Sequence, residues 1–408
     1  MIMTEPRTLN ISLHDEKIGT LTLLQNEQSI FTFEDAYVND SRRATLSLSF
    51  ENKQGDFEPA VEPSRVQIPP FFSNLLPEGP LRDYLADRAG VNAKREFFLL
   101  WALGEDLPGA ATASADSDWP PFESNEEQPS FTPDFMRFSL AGVQLKFSGM
   151  MQPQGGLTIP VKGTGGSWII KLPSPQYDAV PENEFAMMTL AAKMGMDVPE
   201  VQLVPLDKIS GLPENLGELK GREALAVKRF DRTDDGGKVH MEDFAQIFCV
   251  YPDHKYEKAN YKNIAEVIAT RIGTEGIAEY IRRLVFCTLI GNADMHLKNW
   301  SVIYPDKREP KLAPAYDLLS TIPYIADKTM ALRFVKTKNM ADLSLELLTY
   351  MSSKAMLPEH LVLKTAKETV TQFRDAWHSE IKHLPISQSA TDITWKNAER
   401  IRLWKEVA

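Results

Sequence analysis

The octet Asn292-Ala293-Asp294-Met295-His296-Leu297-Lys298-Asn299 constrains this chain more than any other stretch. It sets an aspartate and an asparagine five positions apart, and Asp317 follows eighteen residues beyond Asn299. Phosphoryl transfer asks for one carboxylate to take the proton of the acceptor hydroxyl. It also asks for an amide oxygen and a second carboxylate to hold the metal that neutralises the phosphates. D-x-x-x-x-N with a later Asp supplies these groups in order. The pattern therefore implies ATP-dependent phosphorylation, in a cleft where the two loops meet.

The patterning upstream fits such a cleft. Residues 8–50 alternate apolar and polar, as in Leu9-Asn10-Ile11-Ser12-Leu13, with further runs at 19–23, 29–33 and 45–49. Period-two alternation between turn residues predicts an antiparallel sheet with one wet face. Helices are expected over about 81–89, stopped by Gly90, and over about 93–103. Residues 96–136 hold nine Asp or Glu and no Lys or Arg, and 113–133 reads as an acidic linker or exposed loop. Strands are expected within 138–148, 167–173, 201–204 and 224–230, with a helix over 182–194. From about residue 260 the chain reads as mainly helical, and the octet falls in the loop after a helix over 277–291. The expected fold class is α+β and bilobal, in the order of a protein kinase. It comprises an N-terminal unit (1–112), the acidic linker (113–133), a sheet-rich lobe (134–235) and a helical lobe (236–408).

Composition narrows the class. The 408 residues are 43% hydrophobic and 25% charged, enough to bury a sizeable core. A net charge of -11 argues against nucleic-acid binding by bulk electrostatics, which draws on clustered Lys and Arg. The longest apolar stretch, 284–290, is far too short to cross a bilayer, and no apolar signal core opens the sequence. Cys249 and Cys287 are expected as buried free thiols in a reducing cytoplasm.

Asp294 is the candidate base, and Asn299 and Asp317 are the candidate metal ligands. Mg²⁺ takes few protein carboxylates and completes its shell with phosphate and water. Lys298 can neutralise charge growing on the transferred group, and His296 can bond the loop backbone or approach phosphate. Lys171 ends an apolar strand, so its ammonium needs partners: ATP phosphates, and Glu184 or Glu182 on the next helix. The stretch from Ser139 to Lys146 has a single glycine, Gly142, and matches neither usual phosphate-loop pattern. An ordinary hairpin is its competing reading. Lys228-Arg229-Phe230 closes a strand where an adenine hinge would lie, with backbone groups after Val227 for the adenine edge and Phe230 to stack on it. A strand that merely ends in charged residues competes there. For Asp294 and Asp317 the competing reading is a helix cap, and for Lys171 a snorkelling surface lysine.

Taken together these pieces resemble the HipA family, the serine/threonine kinases that form the toxin half of bacterial HipBA toxin–antitoxin modules. The likeness rests on six stretches in one order: Ser139–Lys146, Ile169–Pro173, Glu182–Glu184, Ala226–Arg232, Leu289–Asn299 and Tyr316-Asp317. Phe71–Pro80 resembles the family's N-terminal subdomain. The resemblance implies Asp294 as the active-site Asp, and Asn299 and Asp317 as Mg²⁺ ligands. It implies an ATP site lined by Ala141, Gly142, Val143, Gln144, Leu145, Lys146, Lys171, Lys228, Arg229, Phe230, His296, Lys298, Asn299, Tyr316 and Asp317. Ser139 matches the serine that the family autophosphorylates to inactivate itself; a phosphate there adds close to two negative charges beside those of ATP. The family also implies a HipB-like helix-turn-helix antitoxin, contact with DNA only through that antitoxin, and an aminoacyl-tRNA synthetase substrate, glutamyl-tRNA synthetase being the best known. Leu145 stands where a polar or acidic residue is usual, and Lys228 where the hinge often has Glu. The competing functions are a small-molecule phosphotransferase of the same fold, and a protein that binds the antitoxin as co-repressor without turning over ATP.

Overall fold

The strands β1 (Thr8–Leu13), β2 (Glu16–Leu23) and β3 (Ser29–Phe33) form where the alternation places them. In this computed structural model, residues 7–24, 27–52, 54–64, 67–115, 146–152, 156–159, 166–212, 216–325 and 327–407 are described. Helices α1 (Asp35–Asn39), α2 (Pro70–Ser73), α3 (Gly79–Ala89) and α4 (Glu96–Leu103) follow, and strand β4 (Ala111–Ala115) closes the unit. The sheet is antiparallel, in the order β3-β2-β1-β4. Its inward residues Leu9, Ile11, Leu21 and Phe31 pack on Phe71, Phe72, Phe97 and Leu100 of the helices. Alternation thus becomes a buried face, the main stabilising term of the unit.

Two expectations fail here. The run 45–49 is not a strand: its end is a 3-10 turn, Leu48–Phe50, capped by Ser47, whose Oγ accepts from the Ser49 N–H at 3.0 Å. Ser47 also donates to Glu242, and the Leu48 N–H reaches the same carboxylate at 2.9 Å, so this backbone is drawn across to the helical lobe. Residues 113–115, expected in the linker, complete β4, where Ala113 pairs with Ile11. The rest of the acidic segment lies outside the described residues.

The middle of the chain builds β5 (Lys146–Met151), β6 (Leu157–Thr158), β7 (Trp168–Lys171), α5 (Val180–Lys193), β8 (Val201–Pro205), β9 (Ile209–Ser210) and β10 (Glu223–Lys228). They form a sheet in the order β8-β10-β7-β5-β6-β9. Phe147, Trp168, Ile170, Ala224 and Ala226 make its core, which also receives Tyr84 from α3. The N-terminal unit is therefore packed onto the sheet lobe.

The remaining elements are β11 (His240–Asp243), α6 (Phe244–Ile247), α7 (Tyr261–Arg271), α8 (Thr274–Ile290), β12 (Ser301–Tyr304), β13 (Lys311–Leu312), α9 (Leu345–Ala355), α10 (Glu359–Glu380), α11 (Gln388–Arg400) and α12 (Arg402–Glu406). The helices share one large core that includes Tyr261, Tyr280, Phe286, Trp300 and Phe373. Gly291 ends α8 with a left-handed φ of 69°, and a Cβ there would run into the Ile322 side chain. Only glycine meets both demands, and the chain turns straight into the Asp294 loop. Cys287 is buried as expected, whereas Cys249 is exposed, and both are free thiols. Among the described residues no helix is long and apolar enough to cross a membrane.

Candidate active site

The octet forms a loop and a short 3-10 turn (Leu297–Asn299) between α8 and β12. Asn292, almost fully buried, organises it. Its Oδ1 accepts from the Asp294 N–H at 3.1 Å, and its Nδ2 donates to the Asp317 carbonyl at 2.9 Å. The two loops are thereby joined. Thr321 adds a second tie, since its Oγ1 accepts from the Ala293 N–H at 2.8 Å and donates to the Gly291 carbonyl at 3.0 Å. Asn299 donates from Nδ2 to the Asp294 carbonyl at 2.8 Å, which leaves its amide oxygen as the atom suited to a cation. Tyr256 donates its hydroxyl to Asp294 Oδ1 at 2.7 Å. Burial pushes the Asp294 carboxyl up to about 6, against the Tyr256 hydrogen bond and the Lys255 charge, which favour the anion. A partly buried, oriented carboxylate of raised basicity is suited to proton acceptance.

Asp317 adopts a left-handed φ of 53°, a conformation that ordinary residues avoid and that recurs at functional sites. Its carboxylate meets Lys171 on one oxygen and Lys146 on the other, the latter at 3.0 Å. The sheet explains both contacts: Lys146 and Lys171 are paired residues of β5 and β7, so their side chains share a face. Lys171 also bonds Glu184 of α5. Glu184 rather than Glu182 is thus its acidic partner. Burial would depress the Lys171 ammonium, but the Asp317 and Glu184 carboxylates outweigh it and hold its pKa above the usual lysine range. Burial opposes ionisation of Asp317, yet Lys146 and Lys171 hold its carboxyl well below the usual range. Two hard oxygen donors, the Asn299 amide and the Asp317 carboxylate, sit on loops tied together by Asn292. That donor set fits Mg²⁺ completed by phosphate and water.

Other expected site residues fall less directly into place. Lys298 does not reach into this cluster: it donates to the Asn74 carbonyl at 2.8 Å and pairs with Glu78 at 3.1 Å. His296 is buried with its ring edge-on to Tyr256, centroids 5.0 Å apart. Burial, aided by the Lys255 charge, pushes it down to about 3, so the ring is neutral. Tyr316 donates to the Lys298 carbonyl at 2.8 Å and shares a 2.6 Å bond with Ser301. Its ring lies 5.7 Å from that of Phe230, which brings the expected stacking residue beside the Asp317 loop.

The hinge departs from expectation. The Lys228 and Arg229 N–H groups are already engaged by the Glu200 and Ser167 carbonyls, each at 2.8 Å. The Lys228 ammonium pairs with Asp234 at the surface, at 2.8 Å. The Arg229 guanidinium is buried in a bidentate pair with Asp231, at 2.9 and 2.8 Å, and reaches Asp106 at 3.2 Å. Arg232 joins the same acids at 2.9 and 2.7 Å. These arginines fasten the sheet lobe to the N-terminal unit, and the Arg229 side chain serves there as a brace. Ser139, Ala141, Gly142, Val143, Gln144 and Leu145 lie outside the described residues. Asn292, Tyr256, Lys255 and Glu78 were not read as site residues, because only the folded chain brings them to Asp294.

Known proteins share this architecture. A model of the HipA N-terminal domain matches residues 9–114, and one of the HipA-like C-terminal domain matches residues 138–377. The chain is 56% identical over 411 residues to Y4dM of Sinorhizobium fredii (strain NBRC 101917 / NGR234), a protein named for an inferred kinase role, with 100% of both chains covered. It is 28% identical to the serine/threonine-protein kinase toxin HipA of Shewanella oneidensis (strain MR-1), over 79% of this chain and 77% of that one. It superposes on HipA from the solved complex of Shewanella oneidensis MR-1 HipA, HipB and operator DNA with a TM-score of 0.76, at 21% identity, covering 98% of this chain and 99% of that one. The bilobal, kinase-like α+β fold is the one observed, and the chain belongs to the HipA family of kinases.

Proposed function

We propose that this kinase transfers the γ-phosphoryl group of ATP to serine or threonine hydroxyls of proteins, as the toxin half of a toxin–antitoxin pair. The observation that carries the reading is the Asn292 junction: it binds the Asp294–Asn299 loop to Asp317, while Lys171 meets Asp317 from the sheet. Base, metal ligands and phosphate lysine thus converge from three stretches of chain.

Each side chain then has a task. Asp294 accepts the proton of the acceptor hydroxyl, with Tyr256 fixing one carboxylate oxygen. Asn299 and Asp317 hold Mg²⁺, which when bound neutralises phosphate charge and stabilises the charge of the transferring group. Lys146 and Lys171 are the cations placed to accompany the phosphates, and Phe230 with Tyr316 offers an aromatic wall to the base. Electrostatic placement of this kind supplies most of the acceleration in phosphoryl transfer.

The finer assignments rest on the family likeness. They are autophosphorylation at Ser139 as an off switch, a HipB-like DNA-binding antitoxin, and an aminoacyl-tRNA synthetase as target. The purified chain incubated with Mg²⁺ and γ-labelled ATP is expected to label itself at Ser139, and Asp294→Asn is expected to remain unlabelled. Undiminished labelling of Asp294→Asn would overturn the choice of base. Phosphoproteomics after induced expression identifies the target; a phosphorylated metabolite without any phosphoprotein would favour a small-molecule phosphotransferase.

A further inference from the structure

Beside the catalytic loop lies an ion network whose acid comes from the N-terminal unit. Glu78 occupies the N-cap position of α3, and its side chain makes no capping bond there. Its Oε2 pairs with Lys255 at 2.6 Å, and its Oε1 with Lys298 at 3.1 Å. Lys298 is also held by the Asn74 carbonyl at 2.8 Å, with Asp243 at 3.8 Å. The two lysines are neighbours in sequence of the groups that hold the reaction geometry. Lys255 precedes Tyr256, the donor to Asp294, and the Lys255 carbonyl accepts from the Leu297 N–H at 3.3 Å. Lys298 precedes Asn299, which bonds the Asp294 backbone. One carboxylate thus grips both stretches that converge on Asp294.

We propose that Glu78 is a positioning residue for phosphoryl transfer: it fixes Lys255 and Lys298, and through them Tyr256, Asp294 and Asn299. The inference rests on the kinase reading given above. Its physical basis is burial. The Lys255 and Lys298 side chains are only 9% and 14% exposed, and an ammonium deprived of its counter-ion there is driven toward water. Either lysine would drag its chain neighbour with it, and a misplacement of about 1 Å far from the chemistry costs on the order of 10²-fold in rate. A purely structural tie would lower the melting temperature and leave the ratio of kcat to ATP affinity untouched.

Glu78→Gln keeps the shape and removes the charge. It is expected to lower kcat by about 10- to 100-fold while KM for ATP stays within about twofold, because Lys171, Glu184 and Asp317 are untouched. Amide hydrogen exchange over residues 294–299 is expected to quicken, with exchange in α5 unchanged. Glu78→Asp keeps the charge and is expected to recover part of kcat; it also carries the test if Glu78→Gln does not fold. Exchange is read without turnover, so a wild type that transfers no phosphate defeats the kinase reading while the exchange rates still decide the role of Glu78. Unchanged kcat and unchanged exchange over 294–299, or a loss of kcat matched by an equal loss of ATP affinity, overturn the proposal.

Discussion

Asn292 Nδ2 lies 2.9 Å from the carbonyl oxygen of Asp317, and the bond spans 25 residues of sequence. The same side chain accepts from the Asp294 N–H, so this amide ties the loop of the proposed base to that of the proposed metal ligand. Asn292→Ala removes both bonds and leaves two polar backbone groups without their partner, which costs about 2 kcal/mol or more. Thermal melting is expected to report that loss, and kcat to fall by about 10²-fold. A variant with full activity would show that the two loops are held independently.

Asp294→Asn separates chemistry from folding. Burial raises the Asp294 carboxyl to about 6, so the anion is disfavoured in the folded state at higher pH. The amide removes that penalty and still accepts from Tyr256. Transfer is expected to be lost, while ATP binding by calorimetry stays close to wild type and the melting temperature at pH 8 does not fall. A large drop in melting temperature would point to a structural role.

Lys171→Met leaves Glu184 buried without its counter-ion. Breaking a buried pair by removing one partner costs about 3–5 kcal/mol, and denaturant melts are expected to show a loss of that order. Adding Glu184→Leu is expected to restore much of the stability but none of the ATP affinity. Restored affinity would mean that Lys171 serves the fold alone.

Glu242 makes stability depend on pH. It is buried beneath Ser47, the Leu48 N–H and the Tyr304 hydroxyl, and burial raises its carboxyl to about 7 from an ordinary value of 4.5. Between those values the native state holds a proton that the unfolded chain has released. Stability from this group therefore falls as pH rises from about 4.5 to 7, by about 3 kcal/mol in total. His240 on the same strand, lowered by burial to about 4, acts in the opposite sense below pH 6.5. The difference between wild type and Glu242→Gln isolates Glu242: the stability gap in favour of the glutamine variant is expected to widen across this window. A constant gap would contradict the account.

The fold class and the loops that meet at Asp317 were legible in the sequence, and the polar residues that tie them together were not. Asp294, Asn299 and Asp317 stand at short spacings in the sequence, and the structure brings their loops together with Lys171. Lys146 was expected as part of a phosphate loop, whereas its pairing with Lys171 across two strands became visible only with the register. Glu78, Lys255, Tyr256 and Asn292 are ordinary polar residues in sequence, and distance in space alone gives them roles. Strand β4 was hidden because alanine and serine carry little strand signal. The run 45–49 misled for the opposite reason: its alternation is good, but Ser47 is claimed by Glu242. Arg229 looked like part of a hinge because charge at a strand end says nothing of direction, and two buried acids had already taken it.

Ser47, Glu78 and Asp106 all precede residue 138, where the C-terminal family match begins. A gene fragment cut at that boundary would keep every residue proposed to line the ATP site. It would nevertheless encode Glu242 without Ser47 (one of its two hydroxyl donors), Lys255 and Lys298 without Glu78, and Arg229 and Arg232 without Asp106. Excising the first 115 residues is therefore not the removal of an appendage: the remaining polypeptide would lose the Glu78 partner of Lys255 and Lys298 and the Asp106 partner of Arg229 and Arg232.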